Sequence, residues 1–313
     1  MSKLQSFFDD AIRVHSKRNS AHLGDRSTYI GASDIGSCPR KVVLSKSKPV
    51  EHDSKTLLRF ARGHIAEDLI ASIFKAGGLK FNRQHTAIHP DHPFLLCHID
   101  FLFDTGIRIH VVEVKSTDGI PEVPYSSWVE QLHFQIGLVA KNNPRTEIGG
   151  SILAIDLNAG EWREFNGFKP DNLIFNHLVE KGLHIRSSLS GDQSPSTETG
   201  ILCGYCPYRS DCPALGDASA PLPDEVEVLA REYLAANQVK SRSESTLKRL
   251  KGEILSFTGT KFLGATDKLT IRAWDVGGSD MVDDKLLKES YPDIYDQVKK
   301  EKAGSTRLEI KPR

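Results

Sequence analysis

The sequence predicts an α/β fold: a mixed central sheet flanked by helices, followed by a smaller α+β extension. Three observations carry this prediction. Hydrophobic periodicity runs in the order helix, three strands, helix, further strands, helix, which suits helices packed on one mixed sheet. The stretch His98–Lys115, HIDFLFDTGIRIHVVEVK, places two alternating apolar runs around a short turn and reads as a β-hairpin. At 313 residues the chain can bury one large core or two modest ones.

Formal charge is zero, from 41 basic and 41 acidic residues, which argues against a protein that coats nucleic acid non-specifically. Local basic clusters at Arg40–Lys48, Lys240–Lys251 and Lys299–Arg313 leave room for a basic channel. The N-terminus has no apolar core of signal-peptide length, and no apolar run reaches a membrane span. A reducing cytoplasm without membrane association is therefore expected, where five cysteines serve as ligands or core residues rather than in disulfides.

In chain order, residues 1–28 contain an amphipathic helix with Phe7, Phe8 and Ile12 on one side. In Tyr29–Arg40, YIGASDIGSCPR, Ser33 reads as an N-cap and Cys38 enters a basic stretch. A helix is expected over Leu57–Ala76, with an apolar stripe of Leu58, Ala61, Ile65, Leu69 and Ile73 and a stop at Gly77-Gly78. Glu67 lies off that stripe, one turn after Gly63.

Leu79–His89 reads as a strand leading into the hairpin. Along Phe94–Asp104, Cys97, Ile99, Phe101 and Phe103 face one way and His98, Asp100 and Leu102 the other. With Thr105-Gly106 as a two-residue loop, Asp100 opposes Val111 and His98 opposes Glu113. Asp100, Glu113 and Lys115 then share a face: two carboxylates diagonal across neighbouring strands with an ammonium beside them, the make-up of a metal site. Charges ending so apolar a run are costly to bury unless they are paired or bind an ion.

After a Pro/Gly loop, Ser127-Trp-Val-Glu130 reads as a capping box opening a helix to Asn142, with Val129, Leu132, Ile136 and Val139 as its core stripe. Gln131 and Gln135 share a separate face one turn apart. Ile148–Leu157 and Trp162–Phe168 form a second hairpin around Asn158-Ala-Gly160, and Asp171–Leu189 a helix. Then comes Cys203-Gly-Tyr-Cys206-Pro-Tyr-Arg-Ser-Asp-Cys212, a C-x2-C-x5-C array. In a cytosolic protein that spacing points to zinc or iron, and four thiolates suit either a structural zinc or a [4Fe-4S] cluster. Cys38 is the fourth ligand expected.

Ala218–Pro223 reads as a linker, dividing the chain into an N-terminal helical segment over 1–28, a main domain over 29–217 and an extension over 218–313. The extension is expected to hold a helix or helical hairpin over Asp224–Phe257, strands within Thr260–Val276, helical segments within Asp283–Lys302 and a closing strand at Thr306–Lys311.

Taken together, these motifs resemble the PD-(D/E)XK nuclease superfamily, in its RecB-like and YqaJ-type branches that include CRISPR-associated Fe-S exonucleases and phage recombination exonucleases. The resemblance covers residues 29–215: Cys38-Pro39-Arg40, Gly63-x3-Glu67, Asp100, Glu113-Val114-Lys115, Gln131 and the three later cysteines stand in the family's order. Glu67 stands where many RecB-like members have a histidine, and Gln135 where a tyrosine is common. The segment Asp283–Tyr295, with Arg307–Lys311, is similar to the C-terminal part of YqaJ-type phage exonucleases.

The resemblance implies a restriction-endonuclease-like core carrying an Fe-S cluster, and a DNA exonuclease dependent on Mg2+ or Mn2+. It assigns the metal to Glu67, Asp100, Glu113 and the Val114 carbonyl, and catalysis to Asp100, Glu113, Lys115 and Gln131. Lys115 would orient or deprotonate the water, or stabilise the transition state. A structural [4Fe-4S] cluster would sit on Cys38, Cys203, Cys206 and Cys212. Linear DNA, single- or double-stranded, is the implied partner, with a single-strand annealing or recombination protein and a homo-oligomer as further expectations, in a bacterial or phage-infected host cytoplasm. Two other readings stay open: a non-catalytic Fe-S or zinc DNA-binding or assembly subunit, and a nuclease of CRISPR adaptation.

Overall fold

The computed structural model describes residues 3–215, 222–279 and 282–300, with Gly304 and Ile310. The chain divides into two compact units, Met1–Val226 and Glu227–Arg313.

The first unit opens with α1 (Lys3–Asn19), whose buried residue is Ile12, packed with Leu57 and Ala61. Phe7 and Phe8 are exposed, so the inward side of α1 is narrower than the sequence suggests. In the short α2 (Ala32–Ile35) the N-cap is Gly31, not Ser33, because Asp34 reaches back to accept the Gly31 N–H at 3.0 Å. Ser33 Oγ instead accepts from Arg26 at 3.0 Å. Helix α3 (Pro39–Ser47) follows directly on Cys38, its proline at the first helical position where no N–H is required.

Helix α4 (Ser54–Ala76) is capped by Asp53, which accepts the Thr56 N–H at 2.9 Å, and ends at Gly77. Its buried residues are Leu57, Ala61, Ala66, Ile70 and Ala71. Leu58, Ile65, Leu69 and Ile73, expected inside, are exposed. Apolar residues surround this helix, and close packing decided between its faces: Ala66 and Ala71 are small enough to bring the backbone near Phe101, Val112 and Val114. That rotation turns Glu67 inward.

Strands β1 (Asn82–Ile88), β2 (Leu96–Asp104) and β3 (Arg108–Ser116) form an antiparallel meander. Helix α5 (Ser126–Asn142) crosses to β4 (Glu147–Asp156), which pairs parallel to β3, and β5 (Glu161–Phe168) returns antiparallel. Helix α6 (Asn172–Ser190) completes the core, capped by Asp171. The sheet order is β1-β2-β3-β4-β5, the mixed sheet flanked by helices that the sequence predicts.

The hairpin register differs from the expected one. Leu102, not Asp100, opposes Val111, and the ladder runs from Asp104–Ile109 to Phe101–Val112. The two-residue loop is Gly106-Ile107, with Thr105 N–H bonded to the Arg108 carbonyl at 3.0 Å. Gly106 has φ 85°, which a type II′ turn requires at its first loop position. The shift moves each partner by two residues, so faces are preserved, and continued by one step it sets Asp100 opposite Glu113. The alternation expected along β2 also breaks at Asp100: Cys97 and Ile99 join one core, Phe101 and Phe103 the other.

The larger core lies between the sheet, α5 and α6, and includes Leu132, Phe134, Ile136, Leu138, Phe175 and Leu178. Gly137 has no room for a side chain, since a Cβ there would stand 2.1 Å from the Phe175 ring. The capping box expected at α5 does not form. The helix starts at Ser126, whose N–H and Oγ bind Glu225 at 3.3 and 2.8 Å, while Ser127 Oγ has no hydrogen-bond partner among the described residues. Glu130 instead accepts from the buried Lys181 at 2.8 Å.

Helix α7 (Asp224–Thr258) is one continuous helix. In the second unit β6 (Phe262–Ala265) pairs antiparallel with β7 (Thr270–Ala273), followed by α8 (Asp284–Ser290) and α9 (Pro292–Val298). Most of the expected linker Ala218–Pro223, and the expected closing strand Thr306–Lys311 apart from Ile310, lie outside the described residues. Among the described residues no helix is long and apolar enough to cross a membrane.

Candidate active site

Where the β2–β3 ladder ends, the two strands carry their charged side chains together. Asp100 Oδ2 accepts the Val114 N–H at 2.9 Å. Glu113 is enclosed on both oxygens: Oε1 accepts from Lys115 Nζ at 2.7 Å and Gln131 Nε2 at 2.6 Å, and Oε2 from Gln135 Nε2 at 2.7 Å. Lys115 Nζ also donates to Gln131 Oε1 at 2.6 Å, closing a three-membered ring of Glu113, Lys115 and Gln131. The helical spacing of Gln131 and Gln135 puts both amides over one carboxylate. Val114 presents its side chain to the smaller core.

The inward face of α4 supplies the third carboxylate. Glu67 Oε2 accepts from Gln84 Nε2 at 3.1 Å, and the same amide reaches Asp100 Oδ1 at 3.5 Å. Glu67, Gln84, Asp100 and Gln131 line one cavity of about 140 Å³, walled further by His22, Arg26, Tyr29, His64 and His98.

Three carboxylates face one lysine here, and their protonation reflects the imbalance. Burial, then the Glu113 charge, push Glu67 up to about 7. Burial likewise raises Asp100 well above the usual carboxylate range, with Glu113 and Glu67 adding to the effect. His64 and His98 are lowered, first by burial and then by the nearby His22. The hydrogen-bond donors on these carboxylates, other than Lys115, are neutral amides and a backbone N–H; His64 Nδ1 stands 3.9 Å from Glu67 and Arg83 partly offsets the Glu67 charge, so the set remains short of positive charge. A hard divalent cation fits that deficit and that all-oxygen donor set.

The three cysteines of the array and Cys38 gather at a second place. Cys38, Cys203, Cys206 and Cys212 all line one cavity of about 270 Å³, with Arg40, Lys41 and Arg209 beside them. Cys38 Sγ accepts the Glu198 N–H and Cys203 Sγ the Gly200 N–H, each at 3.4 Å. Arg40 fastens the two ends of this clamp, donating to the carbonyls of Tyr208 at 3.4 Å and Asp211 at 3.0 Å. Among the described residues no group of three or more His, Cys, Asp or Glu side chains, at the acids or at the cysteines, is already arranged to hold a metal ion. The cysteine cavity is roomy, and its four sulfur donors with cations and N–H groups around them suit a thiolate-bound cluster. Cys97, the fifth cysteine, is fully buried in the core, and burial raises its thiol.

Every site residue expected from the sequence therefore falls in one of two places: Glu67, Asp100, Glu113, Val114, Lys115 and Gln131 at the sheet, the four cysteines at the clamp. Of two further polar residues at the site, the sequence places Gln135 on one face with Gln131 but gives it no role, and it does not single out Gln84. Gln135 had a visible signal, its one-turn spacing from Gln131. Gln84 had none, because nothing in a strand pattern marks a glutamine whose backbone turns it toward two acids.

No family model matches the chain. Over 301 residues, 89% of this chain and 90% of the relative, it is 23% identical to the Bacillus subtilis (strain 168) protein named "Uncharacterized protein YqaJ". Among solved structures, that of SSO0001 aligns with a TM-score of 0.48 and 16% identity, covering 69% of this chain and 98% of that one. The alkaline exonuclease LHK-Exo from Laribacter hongkongensis aligns with a TM-score of 0.39 and 11% identity, covering 53% of this chain and 90% of that one. The chain is thus similar to YqaJ along nearly the full length of both.

Proposed function

We propose that the chain is a divalent-metal-dependent deoxyribonuclease that digests linear DNA from its ends. One observation carries this reading: Glu67, Asp100 and Glu113 converge from a helix and two strands beside a lysine fixed by Glu113 and Gln131. Glu67, Asp100, Glu113 and the Val114 carbonyl would hold Mg2+ or Mn2+. Bound there, the ion would neutralise the scissile phosphate and lower the pKa of the attacking water.

The chain's own residues divide the remaining work. Lys115 uses two of its three N–H groups on Glu113 Oε1 and Gln131 Oε1, which leaves one for a water or a phosphate oxygen. Gln131 fixes where that ammonium points, and Gln135 holds the other oxygen of Glu113. The four cysteines are assigned a structural [4Fe-4S] cluster that ties α3 to the loop after α6. A place in DNA recombination or repair follows from the motif resemblance.

The test is cleavage of linear single- and double-stranded DNA in Mn2+ by protein purified without oxygen. Wild type should cleave and Asp100→Ala should lose at least about 100-fold in rate, as expected when a metal ligand is removed. DNA binding without cleavage by wild type would favour the assembly-subunit reading instead. Iron and acid-labile sulfide should be found together; stoichiometric zinc after expression in ample iron would remove the cluster assignment.

A further inference from the structure

Gln84 has the one positive φ of any non-glycine residue among the described residues, 51°. Left-handed backbone is disfavoured for a side chain of this kind, which lacks the short polar group that lets Asn or Asp bond locally. The strand neither ends nor slips there: Arg83 pairs with Phe101 and His85 with Ile99 in one register, while Gln84 itself, opposite Asp100, is not among the paired residues. Strand β1 is also at the edge of the sheet, so a second ladder does not hold the distortion in place.

The distortion gives direction to the side chain. Its Nε2 donates to Glu67 Oε2 at 3.1 Å and to Asp100 Oδ1 at 3.5 Å. Those acids come from α4 and β2, and among the described residues this amide is the hydrogen-bond donor they share. An amide suits the position because it donates to both without adding charge. A lysine or arginine there would neutralise the pair and compete with a cation, and an apolar side chain would leave their repulsion unrelieved. Strained backbone of this sort persists where surrounding structure over-determines it, and gathers at functional sites.

We propose that Gln84 is a positioning residue that orients Glu67 and Asp100 toward one another for a divalent cation. The inference rests on the metal-dependent reading above. Two substitutions separate the amide from the backbone strain: Gln84→Gly removes both, and Gln84→Leu removes only the amide. Calorimetric titration of Mn2+ into the full chain should show both variants weakened about 10- to 100-fold, the usual effect of losing a residue that orients metal ligands. Gln84→Gly should keep or raise the thermal midpoint. The Mn2+ concentration for half-maximal DNA cleavage should rise by the same factor as the binding constant. The rate at saturating Mn2+ should return toward wild type, because Lys115 and Gln131 are untouched. Wild-type affinity in either variant, alongside loss of binding in Asp100→Ala, would overturn this inference alone. Absence of any Asp100-dependent Mn2+ binding in wild type would remove the metal reading and this inference together.

Discussion

Burial and the neighbouring Glu113 raise Glu67 from 4.5 to about 7, so between those values the folded chain keeps a proton that the unfolded chain has released. Stability of the metal-free protein therefore falls as pH rises through this window, and Asp100, raised by the same causes, adds a slope of the same sign. Thermal unfolding in EDTA should give a lower midpoint at pH 8 than at pH 5, and Glu67→Gln should flatten the difference. A cation occupies the carboxylates only when they are deprotonated, so Mn2+ should restore the midpoint most strongly at the alkaline end. An unchanged slope in Glu67→Gln would show that Glu67 is not the titrating group. Lys115 is held by partners on both sides, and its place follows directly from the Glu-x-Lys spacing on one strand face.

At the scale of the element, α4 gives the sharpest contrast between pattern and packing. Ile70 is buried against the smaller core and Ile65 is exposed. Ile70→Ala should cost about 2–5 kcal/mol, read by chemical denaturation, whereas Ile65→Ala should stay within about 0.5 kcal/mol. The stripe read from sequence would give the reverse order. A helix with apolar residues all round does not announce which side it buries, and here the small Ala66 and Ala71 decided it by allowing close approach to Phe101 and Val114. The hairpin was more legible. Alternation marked its two strands correctly, but in β2 it breaks at Asp100, and the turn was misplaced because Thr105-Gly106 and Gly106-Ile107 both contain the glycine that the positive φ needs. The order of strands and helices was legible for the same reason, each being a periodicity. Gln84 was not, since its role depends on a single backbone angle.

For the first unit as a whole, the cysteine clamp joins its early and late segments. Cys38→Ser should lower the thermal midpoint by roughly 5–10 °C and open the first unit to limited proteolysis, if thiolate ligation contributes to folding stability as bound metal generally does. An unchanged midpoint would deny the clamp a structural role. The acidic site depends on no such long connection, because Glu67 through Gln135 lie in one continuous stretch of chain.

That difference sets an order of events during synthesis. The contact from the Glu198 N–H to Cys38 Sγ spans 160 residues, which a ribosome needs roughly 8–30 s to add at about 5–20 residues per second. The strands and helices that carry Glu67, Asp100, Glu113 and Gln135 have all emerged long before the last three cysteines do. The elements that carry the acids are therefore made first, and closure of the cysteine cavity, which needs residues 203–212, is a late step.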